Sequence, residues 1–254
     1  MNNFYLAREI LLSIREHKNW VEISKLILKG KKYTKVILRN GMQIEAPIDN
    51  PLLQIVHKIY FKNVYNPVYL PINANDIVVD IGANIGVFTL FAASKTTNKV
   101  FAFEPFPENF LFLNQNINRN CLKNVIAYET AVSDKIGSDK LFCDESGGGH
   151  TMLEKLETYV EVPTTTLQKI IDTNNIKQVD FLKIDCEGAE GLILNSTPLE
   201  YLKKVRKISI EFHDNVSSLK HENLSRLLEQ SGFNMQLNWD GKSQFGYLYG
   251  KRID

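Results

Sequence analysis

From Asp76 to the C-terminus the chain alternates apolar strands with amphipathic helices, and that alternation restricts the fold more than any other feature. IVVDIG, KVFAFEP, NVIAYETAVS, VDFLKID and KISIEFH read as strands, with NIGVFTLFAASK and ENFLFLNQNINRN as helices between the first three. Their Val, Ile and Phe fall in runs rather than at every second position, as strands covered on both faces require. Repeated strand-helix units of this length predict a doubly wound α/β fold with a mostly parallel sheet. A polar interlude with Gly147, Gly148 and Gly149, between KLFCD and YVEVPTTT, interrupts the series. Beyond it the pattern predicts helices over 191–203 and 219–231, then FNMQLNW and FGYLYGK as an antiparallel pair turned at Asp240-Gly241.

Residues 1–70 read as an accessory region ahead of a core domain over 71–254. YTKVILRN and MQIEAP predict a hairpin through Asn40-Gly41, a dipeptide that accepts positive φ. LLQIVHKIYFKNVY is apolar at helical intervals, and Pro67 and Pro71 end that helix. Leu6, Ile10, Ile14, Val21, Leu26 and Ile27 mark one or two amphipathic helices, expected to pack on the body, with a homodimer face as the alternative. Arg8, Glu9, Arg15 and Glu16 interrupt what would be a signal peptide's apolar stretch, and no apolar run is long enough for a transmembrane helix. Cys121, Cys143 and Cys186 lack C-x-x-C spacing, which suits free thiols in the reducing cytoplasm. Thirty Lys+Arg against 29 Asp+Glu leave a net charge of +1, so no field draws in nucleic acid.

VVDIGANIG, residues 78–86, places a glycine turn between strand and helix, where the backbone can approach a ligand and a helix N-terminus can face it. The dinucleotide pattern G-x-G-x-x-G is absent: Gly82 and Gly86 flank Asn84, and position 87 is Val. Asp80 at the end of this strand would repel a pyrophosphate and attract an ammonium group. Glu104 ends the second strand, about twenty residues beyond the turn, where an acid accepts hydrogen bonds from a ribose diol. Ribose without pyrophosphate, together with an ammonium, describes S-adenosylmethionine.

VVDIGANIGVFTLFAA, VFAFEPFPENFLFLNQNI, AVSD at 131–134, DFLKIDCEGAE and ISIEFHD resemble, in that order and spacing, the FkbM family of S-adenosylmethionine-dependent methyltransferases. The likeness covers about residues 35–214 and includes the LRNG turn at 38–41. It implies a class I, Rossmann-like methyltransferase core and O-methylation, often on a sugar or a polyketide. By position it implies that Asp80, Gly82, Asn84 and Gly86 hold the methionine end and Glu104 the ribose. It also implies that Ala131 to Asp134 lie near adenine and Asp185 near the transferred methyl.

In a doubly wound sheet, ligands sit beyond the carboxyl ends of the strands, where Asp185, Glu211 and His213 fall. Alternation puts Phe181, Lys183 and Asp185 on one face of their strand, and Ser209, Glu211 and His213 on one face of theirs. His213, neutral near its ordinary pKa, is the expected base, with Asp185 the alternative. Lys183 is expected to pair with Glu211, and Glu190 to be a plain first-turn helix acid. Asp185, Glu187 and Glu211, with Asn215, form an alternative all-oxygen Mg²⁺ site. His150 in the glycine-rich loop would reach the site if that loop is a lid, whereas His17, His57 and His221 lack comparable company. The expected reaction is O-methylation of a sugar, glycan or other small polyhydroxylated metabolite, with N- or carboxyl-methylation, or a non-catalytic cofactor-binding module, as alternatives.

Overall fold

A computed structural model describes residues 11, 13–32, 34–48, 50–142 and 158–253 of the chain. Leu6 and Ile10, Cys143 and the loop from Gly147 to His150 lie outside the described residues.

The central sheet has seven strands in the order β11-β12-β10-β9-β3-β4-β5. These are β3 (Val78–Ile81), β4 (Val100–Phe103), β5 (Val125–Tyr128), β9 (Phe181–Ile184), β10 (Lys207–His213), β11 (Phe233–Asn238) and β12 (Phe245–Arg252). Pairing is parallel from β5 through β10, whereas β12 runs antiparallel between β10 and β11. The closing pair is therefore antiparallel, as the Asp240-Gly241 turn predicted. Helices α3 (Val87–Ala93), α4 (Pro107–Arg119), α5 (Leu167–Thr173), α6 (Glu190–Ser196), α7 (Leu199–Leu202) and α8 (His221–Gln230) connect the strands. The expected helix over 191–203 is two short ones, because Pro198 has no N–H to continue the first.

Two apolar layers sandwich the sheet. Val78 and Phe181 face a layer with Phe88 and Leu113, while Val79, Leu182, Ile208, Ile210 and Phe212 face one with Leu167, Ile193 and Leu224. Phe88, Phe181 and Phe212 are fully buried, each stabilising the fold by about 1.5–3 kcal/mol. NVIAYETAVS does not form one strand: it breaks after Tyr128, and β6 (Ala131–Val132) joins β7 (Gly137–Phe142) and β8 (Tyr159–Thr165) in a separate three-stranded sheet.

The accessory segment lies on the Phe88 side. β1 (Lys35–Ile37) and β2 (Gln43–Glu45) form the expected hairpin, with Gly41 at φ +95°. Asn116 of α4 and Asn120 at its C-terminal cap fasten β2 through its backbone at Glu45 and Gln43. Helix α1 (Trp20–Leu28) buries Ile23 and Ser24, but Val21 is exposed, so its inward face is narrower than the expected apolar stripe. Helix α2 (Leu52–Val56) widens over His57–Phe61 into a π turn, closed by Lys62 N–H on the His57 carbonyl. Ile23, Val36, Ile44, Leu52 and Tyr65 share one apolar cluster with Phe88, Leu113 and Tyr247, so residues on either side of position 70 share a core. Among the described residues no helix is long and apolar enough to cross a membrane.

Candidate active site

The turn between β3 and α3 is shaped by its neighbours. Gly82 has φ +76°, and a Cβ there would stand 1.7 Å from the Asp185 carbonyl oxygen, so only glycine lets the turn pass the end of β9. Gly86, at φ +90°, would bring a Cβ within 2.6 Å of Leu113 Cδ1, so it serves the packing of α3 on α4 and lines neither cleft described below. Asn84 is itself left-handed, at φ +52°. Its N–H donates to Glu104 Oε2 at 2.7 Å, and its Oδ1 accepts from Ile85 N at 2.7 Å.

Glu104 is buried at the end of β4, where its other oxygen accepts from Phe106 N at 2.9 Å. Burial raises its pKa to about 7, against the lowering effect of Phe106 and Asn84 N–H and of Lys183. It lines a cleft of about 640 Å³, counting the space open to solvent, with Gly82, Asn84, Phe103, Ala131, Val132 and Leu141. The wall runs from an acid to an apolar slot, the combination of few polar groups and apolar lining that small-ligand sites use. S-adenosylmethionine fits this donor set, with Glu104 for a ribose diol and Ala131, Val132 and Leu141 for a flat base.

Asp80 is not on the cleft wall. It is fully buried, accepts from Thr89 Oγ1 at 2.6 Å and stands 3.1 Å from Lys183 Nζ. The expected pair of Lys183 with Glu211 does not form. The sheet register sets Asp80 and Ser209 beside Lys183, leaving Glu211 two residues further along β10. Lys183 instead meets Asp80, reaches Asp185 at 3.6 Å and donates to the Gly82 carbonyl at 2.6 Å.

Glu211 turns to the accessory segment. Lys58, in the π turn, donates to its two oxygens at 2.8 and 2.9 Å. Tyr65, 3% exposed, reaches Glu211 and also Asp185 Oδ2, the latter at 2.8 Å. One phenol thus spans the carboxylates at the ends of β9 and β10. Sequence reasoning missed Lys58 and Tyr65, since nothing local ties them to acids more than a hundred residues away. These residues line a second cleft of about 730 Å³, together with Ile55, Phe88, Lys183 and Glu187. The two clefts share Gly82, Asn84, Asp185 and Glu187.

His213 is not the neutral imidazole expected. Burial alone would lower its pKa, but a hydrogen bond and charge from Glu190, then Glu187 and Asp185, raise it to about 10. Its Nδ1 lies 3.0 Å from Glu190 Oε1 and its Nε2 3.4 Å from Glu187 Oε2. A ring held protonated between two carboxylates has no lone pair to take a proton, so His213 is better placed to position a neighbour than to act as the expected base. Glu190 is likewise no plain helix acid: it is fully buried, and its Oε1 also receives the N–H of Cys186 and Gly188. Asp185 is pushed up by burial, but Lys183, His213, Lys58 and Tyr65 together hold it below the usual range. Glu187 sits at φ +51°, a left-handed backbone costing a residue with a Cβ about 1–2 kcal/mol.

Asp185, Glu187 and His213 offer donor atoms within 4.8 Å of one another, a different trio from the acids expected for Mg²⁺, since Glu211 is held by Lys58 and Tyr65. Cys121 and Cys186 are free thiols, and burial raises the Cys186 pKa well above the ordinary range.

Comparison with known proteins agrees with this architecture. The family model for the methyltransferase FkbM domain matches residues 80–235. The 31-O-demethyl-FK506 methyltransferase FkbM of Streptomyces tacrolimicus is 30% identical over 55% of this chain and 66% of its own. The hexuronic acid methyltransferase AglP of Haloferax volcanii is 23% identical over 70% of this chain and 71% of its own. The crystal structure of methyltransferase FkbM from Methylobacillus flagellatus KT superposes with a TM-score of 0.52 at 17% identity, covering 77% of this chain. The chain spans 47% of that structure's length, and the likeness concerns the fold.

Proposed function

Since the chain belongs to the FkbM methyltransferase family and is a methyltransferase, we propose that it uses S-adenosylmethionine to methylate a hydroxyl of a sugar, glycan or other small polyhydroxylated compound. The observation that carries this reading is the meeting of two clefts at Asp185 and Glu187, one fitted to a nucleoside and one open for an acceptor. Glu104 accepts the ribose hydroxyls, and the slot of Ala131, Val132 and Leu141 takes the adenine. Backbone groups at Gly82 and Asn84 flank the methionine end. Asp80 acts from behind the turn, holding Lys183 against the Gly82 carbonyl. The bound cofactor supplies an electrophilic methyl on a sulfonium.

The chain's own residues then align an acceptor oxygen and remove its proton. Alignment is the larger contribution, about 7–11 kcal/mol against about 10²- to 10⁴-fold from a base. Asp185, at the junction and kept ionised by Lys183 and Tyr65, orients the acceptor hydroxyl and favours the sulfonium charge. Glu211, locked by Lys58 and Tyr65, forms the far wall of the acceptor cleft. Two relatives' names support oxygen as the acceptor atom: one acts on a demethylated O-31 position and the other on a hexuronic acid. A uronic acid carries a carboxylate as well as hydroxyls, so the product must be typed. Incubation with methyl-labelled donor and polyhydroxylated acceptors, followed by alkali, separates the outcomes. A label that survives alkali is an ether and fits the proposal; a label released as methanol is an ester and refutes it.

A further inference from the structure

Glu187 stands where the two clefts meet and lines both of them. Its side chain is 39% exposed, whereas that of Glu190 is fully buried and that of Glu211 is 8% exposed. Gly188, at φ +108°, already gives this turn a residue of free backbone, yet the residue before it is a left-handed glutamate. An outlier of that kind at a site wall motivates a functional reading.

The groups that face it come from three elements. His213 and Glu211 approach from β10, Asp185 and Cys186 from the same turn, and Glu190 from α6. Glu190 Oε1 holds His213 Nδ1, and His213 Nε2 in turn faces Glu187 Oε2, so a buried carboxylate fixes an imidazolium that fixes an accessible carboxylate. We propose that Glu187 is the general base of the methyl transfer, and that His213, anchored by Glu190, is the positioning residue that aims it at the acceptor hydroxyl. The inference rests on the methyltransferase reading above. As the bond from acceptor oxygen to methyl carbon forms, the carbon-sulfur bond breaks with its electron pair left on sulfur, and the acceptor's proton passes to a Glu187 oxygen. The exposed part of the side chain then returns that proton to solvent.

The competing carboxylate at the junction is less suited. Asp185 is surrounded by Lys183, Lys58, His213 and the Tyr65 hydroxyl, all of which favour its ionised form. Glu187 lines both clefts with 39% of its side chain exposed, against 24% for Asp185. A proton taken up in either cleft can leave the Glu187 side chain for solvent, whereas Asp185 is engaged by Lys183 and the Tyr65 hydroxyl.

The test combines a titration and a rate. NMR of the full chain with carboxyl-labelled glutamate, assigned by the signal missing in Glu187→Gln, reads the protonation of Glu187 directly. The proposal expects the two groups to titrate as a coupled pair, with the His213 ring losing its proton at lower pH in Glu187→Gln than in the wild type. With methyl glycosides as acceptors and saturating methyl donor, Glu187→Gln should lose about 10²- to 10⁴-fold in kcat while calorimetric donor binding persists. Titrations of Glu187 and His213 that prove independent of one another, or a variant kcat within about tenfold of the wild type, overturn the proposal. A wild-type enzyme that transfers to none of the glycosides counts against the acceptor class, and the titration alone then decides for or against Glu187.

Discussion

The Tyr65 hydroxyl joins the accessory segment to the ends of β9 and β10, and removing it as Tyr65→Phe isolates that single link. The ring itself is retained, with its edge contacts to Phe88 at 5.5 Å and Tyr247 at 5.7 Å between centroids, so little packing is lost. What disappears is a donor shared by Asp185 and Glu211, inside a pocket where Tyr65 is 3% exposed. A hydrogen bond to a charged group is worth about 1.5–3 kcal/mol, and the remaining cations, Lys58 and Lys183, keep both acids from being stranded. The expected loss is therefore about 2 kcal/mol, read as a lowered urea midpoint with unchanged slope, or as roughly 5 °C in Tm for a chain of this size. Because Tyr65 helps hold Asp185 ionised, kcat should fall while donor affinity, which the proposal assigns to Glu104 and the apolar slot, stays put. A stability change below about 0.5 kcal/mol would mean that the hydroxyl joins nothing, since surface substitutions away from such links cost no more.

Other perturbations test other links. Gly82→Ala should abolish soluble folding because its Cβ meets the Asp185 carbonyl. Gly241→Ala, at a similar φ of +75° with nothing within 4 Å, should cost only about 1–2 kcal/mol, and urea denaturation separates the two. His213→Ala leaves Glu190 buried without its cation and should destabilise the fold by about 3–5 kcal/mol at neutral pH. The His213 pKa rises from 6.5 to about 10 on folding, so its stabilisation is complete below about 6.5 and is lost as pH climbs through 10. His213→Ala should lack that alkaline loss in denaturation curves taken across the range. Glu104 is raised on folding from 4.5 to about 7, so the folded state holds the proton longer and stability falls as pH rises through that window. Glu104→Gln should remove this slope, leaving the ligand-free protein more stable than wild type at pH 8, while weakening donor binding by at least about tenfold in calorimetry.

The sequence exposed what local chemistry can encode. Unbroken apolar runs marked the parallel strands and Asn40-Gly41 the hairpin, and Gly82 and Glu104, singled out by their spacing, line one cleft. The glycines themselves answered to packing as much as to a ligand: Gly86 makes room for Leu113, and Gly82 for the carbonyl of Asp185. What stayed hidden depended on register and on contacts far apart in the chain. Whether Lys183 meets Asp80 or Glu211 is decided by a two-residue offset along β10, which no composition reveals. Lys58 and Tyr65 lie 153 and 146 residues from Glu211, in a segment whose own pattern announces only a helix and a turn. Glu190 looked like any acid in a first helical turn, and only the approach of β10 makes it the anchor of His213.

We propose that the chain binds S-adenosylmethionine through Glu104 and the slot of Ala131, Val132 and Leu141. Isothermal titration of the purified chain with S-adenosylmethionine tests it most directly, with Glu104→Ala as the paired variant. Saturable one-to-one binding to the wild type and a clear loss of affinity in the variant are expected. No heat at millimolar ligand, or equal affinity in the two proteins, would contradict it.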